Sequence, residues 1–312
     1  MKMVKKQHYV PRFYLEGWCI PGKEQIHLYD KVKKEIRCNN IKDVACEGHF
    51  YDINLKDYYS DDRIKMMNDS GTTIDGWLQT IEKMLSDWIE GPISCLFKEI
   101  INKARNSTPW EIKGCCFISD EQKLAISIYL AYQYIRTKKI RNDLIDTSER
   151  IKDKCRKMGI PEERIKNLTL TKKQASEIHI RMLNDEENIQ DIANCFCSLV
   201  WVMGLNKSKT KIFTSDNPIG IKGHDIKRPT FLGTGLTTPG VEVFFPLSPD
   251  LLLIMLDGDY HKRFMGLQGR YVEVDESNVK SYNSILYWQA NRSIISCDGD
   301  FSVIYKLDKI CK

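Results

Sequence analysis

Nowhere in the 312 residues is there a run of the roughly 18 consecutive apolar side chains that a membrane-spanning helix requires. The longest apolar stretches, around Leu199–Leu205 and Leu251–Leu256, fall far short. The opening Met1–His8 carries lysines but no apolar core, so no export signal is expected. No Cys-x-x-Cys occurs among the 11 cysteines, and neither Cys115-Cys116 nor Cys195-x-Cys197 has a second pair at zinc spacing. That excludes a zinc finger and a secreted disulfide scaffold; the thiols are expected to be reduced and mostly buried. A dominant charge is missing too. Lys and Arg number 47 against 42 Asp and Glu, a net +5, which permits a phosphate-bearing partner without requiring one. The P-loop, nucleophile-elbow, zinc-protease and dinucleotide-binding signatures are all absent. What is left is 42% hydrophobic and 29% charged, the balance of a soluble globular protein, expected in the cytoplasm with no membrane partner.

The hydrophobic spacing then predicts an order of elements. Gln25–Tyr29 and Glu35–Cys38 flank a polar turn and read as a hairpin, with a third extended segment at Phe50–Ile53. From Asp75 to Ala104, Trp77, Ile81, Met84, Leu85 and Trp88 follow one helical face, and Gly91-Pro92 either breaks that helix or starts the next. Ser119-x-x-Gln122 forms a capping box before a long helix expected to run past Arg141, with Gln133, Arg136, Thr137 and Ile140 on one face. Residues 145–175 are charged and peripheral, a candidate helical insert. A helix at Lys173–Val202 precedes strands at Lys211–Ser215, Val241–Phe245 and Leu251–Leu256. A helix at Glu276–Asn291 and strands at Ser293–Cys297 and Phe301–Leu307 close the chain. The expected class is α+β: an N-terminal β-hairpin segment, a long helical middle and a β-rich C-terminal part, packed as one sheet-plus-helices domain over 1–312.

Two clusters carry chemistry. In Gln7-His8-Tyr9-Val10-Pro11-Arg12 an imidazole and a guanidinium lie four residues apart beside a rigid proline. In Phe213-Thr-Ser-Asp216-Asn217-Pro218 a carboxylate and an amide sit where an apolar strand ends. Each has a plain reading: a packing anchor among aromatics for the first, an Asx-type turn for the second.

The same residues carry a resemblance. Gln7-His-Tyr-Val-Pro-Arg-Phe-Tyr-Leu15 resembles the opening signature of a bacterial family known as domain of unknown function 4238. The likeness continues through Asp43-Val-Ala-Cys-Glu47-x-x-Phe50-Tyr51, an Ile-Glu pair at Ile81-Glu82 or Ile89-Glu90, and Gln133-x-x-Arg136-Thr137. It then takes in Phe213–Pro218, Phe245-Pro-Leu-Ser-Pro249 and Asn283…Ala290-x-Arg292. Lys138 stands where the family tends to have proline, which predicts an uninterrupted helix at that point. The resemblance implies a shared fold and no activity.

The matched polar residues are His8, Arg12, Glu47, Tyr51, Glu82 or Glu90, Gln133, Arg136, Asp216 and Asn217, a set suited to acid–base work or anion binding if it converges. In a metal-free scheme His8 is the acid or base, and Arg12 and Arg136 stabilise charge on a phosphoryl group, with Gln133 and Asn217 beside them. In a Mg²⁺ scheme Asp216, Glu47 and Glu82 supply oxygen ligands. Tyr51 and, in the long loop Gly220–Gly240, Lys227 and Arg228 are candidate substrate contacts. Paired arginines favour phosphate, so the expected function is a nuclease or phosphoesterase acting on nucleic acid. By analogy with other bacterial families, a defence or toxin effector is the expected setting. The alternative is a non-catalytic module that binds a nucleotide, nucleic acid or protein.

Overall fold

The computed structural model describes residues 3–74, 76–107, 111–112, 115–224 and 234–310. Its central element is a five-stranded sheet. In spatial order the strands are Arg270–Val274, Val200–Asn206, Leu251–Leu256, Val241–Ser248 and Gly220–Gly223. Only the first pair is parallel. Every residue of Val241–Ser248 and Leu251–Leu256 is buried, because both faces of the sheet are covered. Val243, Phe245, Leu253 and Met255 enter a core shared with the helices of the middle of the chain. Phe244, Leu252 and Ile254 point the other way, into a second core with the helix Glu276–Gln289. Gly220 on the edge strand is required by that packing, since a Cβ there would land inside the Phe244 ring.

A second, four-stranded sheet joins the two ends of the chain. Glu35–Asn40 pairs with Gln25–Asp30, that strand with Ser293–Ser296, and that in turn with Thr214–Ser215, all antiparallel. The N-terminal strand Lys6–His8 pairs with Cys46–Gly48, placing His8 opposite Cys46. The helix Asp120–Ile135 begins at the predicted capping box, with both reciprocal bonds formed. It packs on Glu186–Ser198 and, at Tyr129, against Phe97 and Phe245. The class is α+β, as expected. Among the described residues no helix is long and apolar enough to cross a membrane.

Several elements differ from the expectation. The helix from Ser119 stops at Ile135. Arg136 remains helical, Thr137 is extended (φ −73°, ψ 152°), and a new helix runs over Lys138–Lys157. The interruption therefore forms without a proline at 138. The expected shared face of Gln133, Arg136, Thr137 and Ile140 does not exist across it. The predicted helix over 75–104 instead includes a short strand, Trp77–Leu78, paired with Ile53–Asn54, and three helical segments, Thr80–Met84, a π-helical turn at Leu85–Glu90, and Gly91–Asn106 with Pro92 in its first turn. The wider π turn shifts the period, so Trp88, expected on the apolar face, is 76% exposed. The stretch 173–202 is two helices, Lys172–Asn184 and Glu186–Ser198, each with its own cap, followed by a strand. Ser302–Ile310 is a helix, not the closing strand: Ile304 and Leu307, three apart, turn one side toward the second core. The ten described cysteines are unpaired, and none is buried; Cys38 lies on an edge strand and Cys95 on an outward helix face.

Candidate functional site

The break at Arg136–Thr137 gathers most of the motif residues. Arg136 is 1% exposed. It donates from Nη2 to the His8 carbonyl at 2.6 Å, from Nε to the Tyr51 hydroxyl at 3.2 Å, and from Nη1 to Glu90 Oε1 at 2.9 Å. One turn earlier, Gln133 Nε2 donates to the Tyr9 carbonyl at 3.0 Å. One residue later, the Thr137 hydroxyl donates to Asn217 Oδ1 at 3.3 Å, and Lys138 Nζ pairs with Glu47. Ending the helix at Arg136 is what spreads these four neighbours outward to four different segments. A continuous helix would have stacked them on its own surface.

The sequence left open whether Glu82 or Glu90 belongs to the cluster. Both do. Glu90 forms the ion pair with Arg136, and Glu82 lies within the field of Arg136, Glu90 and Asp52. A π turn lies between these two side chains, eight residues apart, and both stand in the field of the one guanidinium. Burial pushes the Glu82 carboxyl up to about 7; Arg136 opposes the shift, and Glu90 and Asp52 add to it. The His8 imidazole is pulled down to about 4, chiefly by burial; backbone hydrogen bonding at Ile41 opposes this, and the charges of Arg12 and Arg136 reinforce it. At neutral pH, then, His8 is uncharged and Glu82 is divided between its acid and its carboxylate.

Around this hub lie buried polar atoms with no partner among the described residues. They are His8 Nε2, Glu82 Oε2, Gln133 Oε1 and Tyr129 Oη. Tyr129 is coupled electrostatically to both Arg136 and Glu90. Unpaired buried donors and acceptors cost roughly 1–3 kcal/mol each, and folds remove them wherever chemistry does not need them. Two of these residues, His8 and Glu82, feel the charge of Arg136, and Gln133 and Tyr129 lie on the helix that ends at it, which makes this place the candidate site.

Other predicted residues have different surroundings. Asp216 is 2% exposed, and its carboxylate is occupied by backbone: Oδ1 accepts from Asn291 N at 2.9 Å, and Oδ2 from Arg292 N at 2.8 Å and Ser293 N at 3.0 Å. Burial still lifts its carboxyl to about 6, with those three bonds opposing. Asn217 Nδ2 donates to the Gln289 carbonyl. The pair thus ties the end of the helix Glu276–Gln289 to the four-stranded sheet and touches the hub through Thr137. Arg12 is exposed and has no ion pair among the described residues. Lys227 and Arg228 lie outside the described residues. Two of the three carboxylates expected to hold Mg²⁺ have protein partners. Asp216 is spent on three amides and Glu47 on Lys138, and no group of three or more His, Cys, Asp or Glu among the described residues gathers as a metal site. Arg136, expected to clamp a phosphoryl group, has its guanidinium buried and turned toward protein partners.

Sequence reasoning overlooked three features. Asp52 accepts from Gln7 and, at 2.7 Å, from Gln79, and meets His49 Nδ1 at 3.0 Å, forming a polar layer behind Tyr51. Glu242, 6% exposed, accepts from the Tyr282 hydroxyl at 2.6 Å and meets His224 Nε2 at 2.6 Å, with His261 edge-on to His224 at 4.8 Å. Alternation on the strand Val241–Ser248 was the available signal for Glu242, an acid among apolar neighbours. The third is a groove of about 800 Å³ between the sheet edge at Tyr271–Glu273 and the helix end at Arg105, which contains none of the motif residues.

A family model described as a protein of unknown function, DUF4238, matches residues 6–300. No curated protein and no solved structure matches the chain.

Proposed function

We propose, for a chain that belongs to the DUF4238 family of proteins of unknown function, that the hub at Arg136 is the acid–base centre of a phosphoesterase or nuclease acting on nucleic acid. The observation that carries the reading is that two buried atoms without a partner, His8 Nε2 and Glu82 Oε2, belong to side chains that both feel the charge of Arg136, which also donates to the His8 carbonyl. Two groups whose environments drive their proton affinities apart, one to about 4 and one to about 7, form the usual pairing of a base with an acid. In this scheme neutral His8 accepts the proton of the attacking water or hydroxyl, and protonated Glu82 gives one to the departing oxygen. Arg136 anchors the His8 backbone through its carbonyl, and its charge biases both side chains. Arg12, exposed beside His8, is the phosphate contact. No step passes through a metal. The net positive charge agrees with an anionic substrate, and action in the cytoplasm as a bacterial defence or toxin effector is part of the proposal.

A second reading has its own support. Arg136 and Asp216 are engaged by the protein itself, as expected of fold determinants in a non-catalytic binding module. One experiment separates the two. Purified protein is incubated with end-labelled single-stranded RNA and DNA, in EDTA and in Mg²⁺. The enzyme reading expects cleavage that falls about 100-fold or more in Glu82→Gln with the melting temperature retained. Binding of either strand with no cleavage under any condition selects the module.

A further inference from the structure

Next to the hub, separated from it by Asp52, is a cleft of about 540 Å³. Its walls include Tyr58, Tyr59, Trp77, Lys173, Glu177 and Arg181, and Asp52 also faces it. The volume lies in the range of small-ligand sites, and three aromatic rings make it an unusual surface feature. One wall is already fixed. The Tyr58 hydroxyl donates to Glu177 Oε1 at 2.6 Å, Lys173 Nζ lies 5.6 Å from the Tyr58 ring centre, and the same ammonium reaches Asp57 at 3.4 Å. Trp77 is held flat by the His49 ring, stacked at 4.3 Å. Two recognition groups are not engaged. The Tyr59 side chain is half exposed and Arg181 is exposed; among the described residues the ring has no ring contact or hydrogen bond, and the guanidinium has no hydrogen bond or ion pair.

We propose that this cleft is a nucleobase subsite for single-stranded nucleic acid, a step that rests on the nucleic-acid reading of the neighbouring hub. The charges set the orientation. Asp57 and Glu177 on the cleft wall repel phosphate but accept hydrogen bonds from base N–H groups. The base therefore enters between Tyr59 and Trp77, and its phosphate stays at the rim on Arg181. Stacking on aromatic side chains with a cation on the backbone is the general solution for single strands, and it excludes a duplex, whose bases are already stacked. The shared wall also gives the cleft a relation to the chemistry. Asp52 is one of the charges that raise Glu82, so occupation of the cleft adjoins the acid of the hub.

The test is fluorescence anisotropy with labelled ten-nucleotide single strands, one DNA and one RNA, beside a duplex and an abasic strand of equal length. The intact chain is compared with Tyr59→Ala and Arg181→Ala, both exposed positions that leave the fold undisturbed. Either single strand is expected to bind, with affinity about tenfold lower in Tyr59→Ala. In Arg181→Ala the slope of log affinity against log salt should fall by about 0.7. The abasic strand and the duplex should bind more weakly than the single strand. Equal binding of duplex and single strand, unchanged affinity in both variants, or no binding by the unaltered chain overturns the subsite. A base-free phosphodiester, bis(p-nitrophenyl) phosphate, isolates the other reading. Its hydrolysis persists in Tyr59→Ala if the hub is the catalyst, whereas strand binding with no hydrolysis of any diester leaves the subsite standing and removes the phosphoesterase.

Discussion

Replacing Arg136 by lysine tests the architecture of the hub most severely. The guanidinium reaches three partners in three directions: Glu90 at 2.9 Å, the His8 carbonyl at 2.6 Å and the Tyr51 hydroxyl at 3.2 Å. An ammonium on a shorter planar reach can keep one of them, and the substitution is not conservative at such a fork. Breaking a buried pair by removing one partner costs about 3–5 kcal/mol; Glu90, about a quarter exposed, recovers part of that from water. Retention of one contact by lysine leaves a loss of roughly 2–3 kcal/mol. For a chain of this length that lowers the melting temperature by about 3–5 °C. Urea and thermal unfolding of Arg136→Lys, Glu90→Gln and the double variant would measure it, with a coupling energy of about 1 kcal/mol or more between the two positions. Arg136 also opposes the upward shift of Glu82, but lysine keeps the charge, so that shift should change little. A melting temperature within 2 °C of wild type, with additive variants, would refute the claim that Arg136 organises the hub.

Other consequences are sharper in sign than in size. A carboxyl raised on folding supplies stability that is complete below its ordinary value of 4.5 and lost as pH rises through about 7. Glu82→Gln should therefore gain on wild type by roughly 2 kcal/mol between pH 5 and pH 8.5, read from urea midpoints at the two pH values. A constant difference would remove the burial argument. Asp216→Ala leaves three buried amides without an acceptor and should cost about 2 kcal/mol or more, whereas a purely chemical role predicts an unchanged melting curve. Gly220→Ala forces a methyl into the Phe244 ring and should destabilise by about 1–3 kcal/mol without altering any activity, measured by the same melts.

The sequence disclosed elements wherever one local rule governed them. The capping box at Ser119, the hairpin at Gln25–Asn40 and the doubly buried strands at Val241–Ser248 and Leu251–Leu256 are of that kind. The helix break at Thr137 was not legible, because no breaker residue occupies it. It is maintained by tertiary bonds from Arg136 and Thr137 to Tyr51, Glu90 and Asn217. The π turn at Leu85–Glu90 was hidden for a similar reason, since helical periodicity assumes 3.6 residues per turn throughout. The candidate residues themselves were largely visible as motifs: Arg136 meets the Tyr51 hydroxyl, and Gln133 and Arg136 donate to the backbone carbonyls of Tyr9 and His8. What motif spacing could not reveal is how each side chain is employed. Asp216 and Arg136 look alike in sequence as reactive polar groups, yet one caps backbone amides and the other binds three segments together. Glu82 looked interchangeable with Glu90, yet only Glu90 pairs with the guanidinium, while Glu82 feels its charge.

The central claim is that Glu82 and His8 form an acid–base pair on Arg136. Its most direct test is the pH–rate profile of phosphodiester cleavage for wild type and Glu82→Gln, each confirmed as folded at every pH. The account predicts a wild-type limb with an apparent midpoint near 7 that disappears in Glu82→Gln, together with a fall in rate of about 10²–10⁴-fold. An unchanged rate with the same limb in both proteins would contradict it.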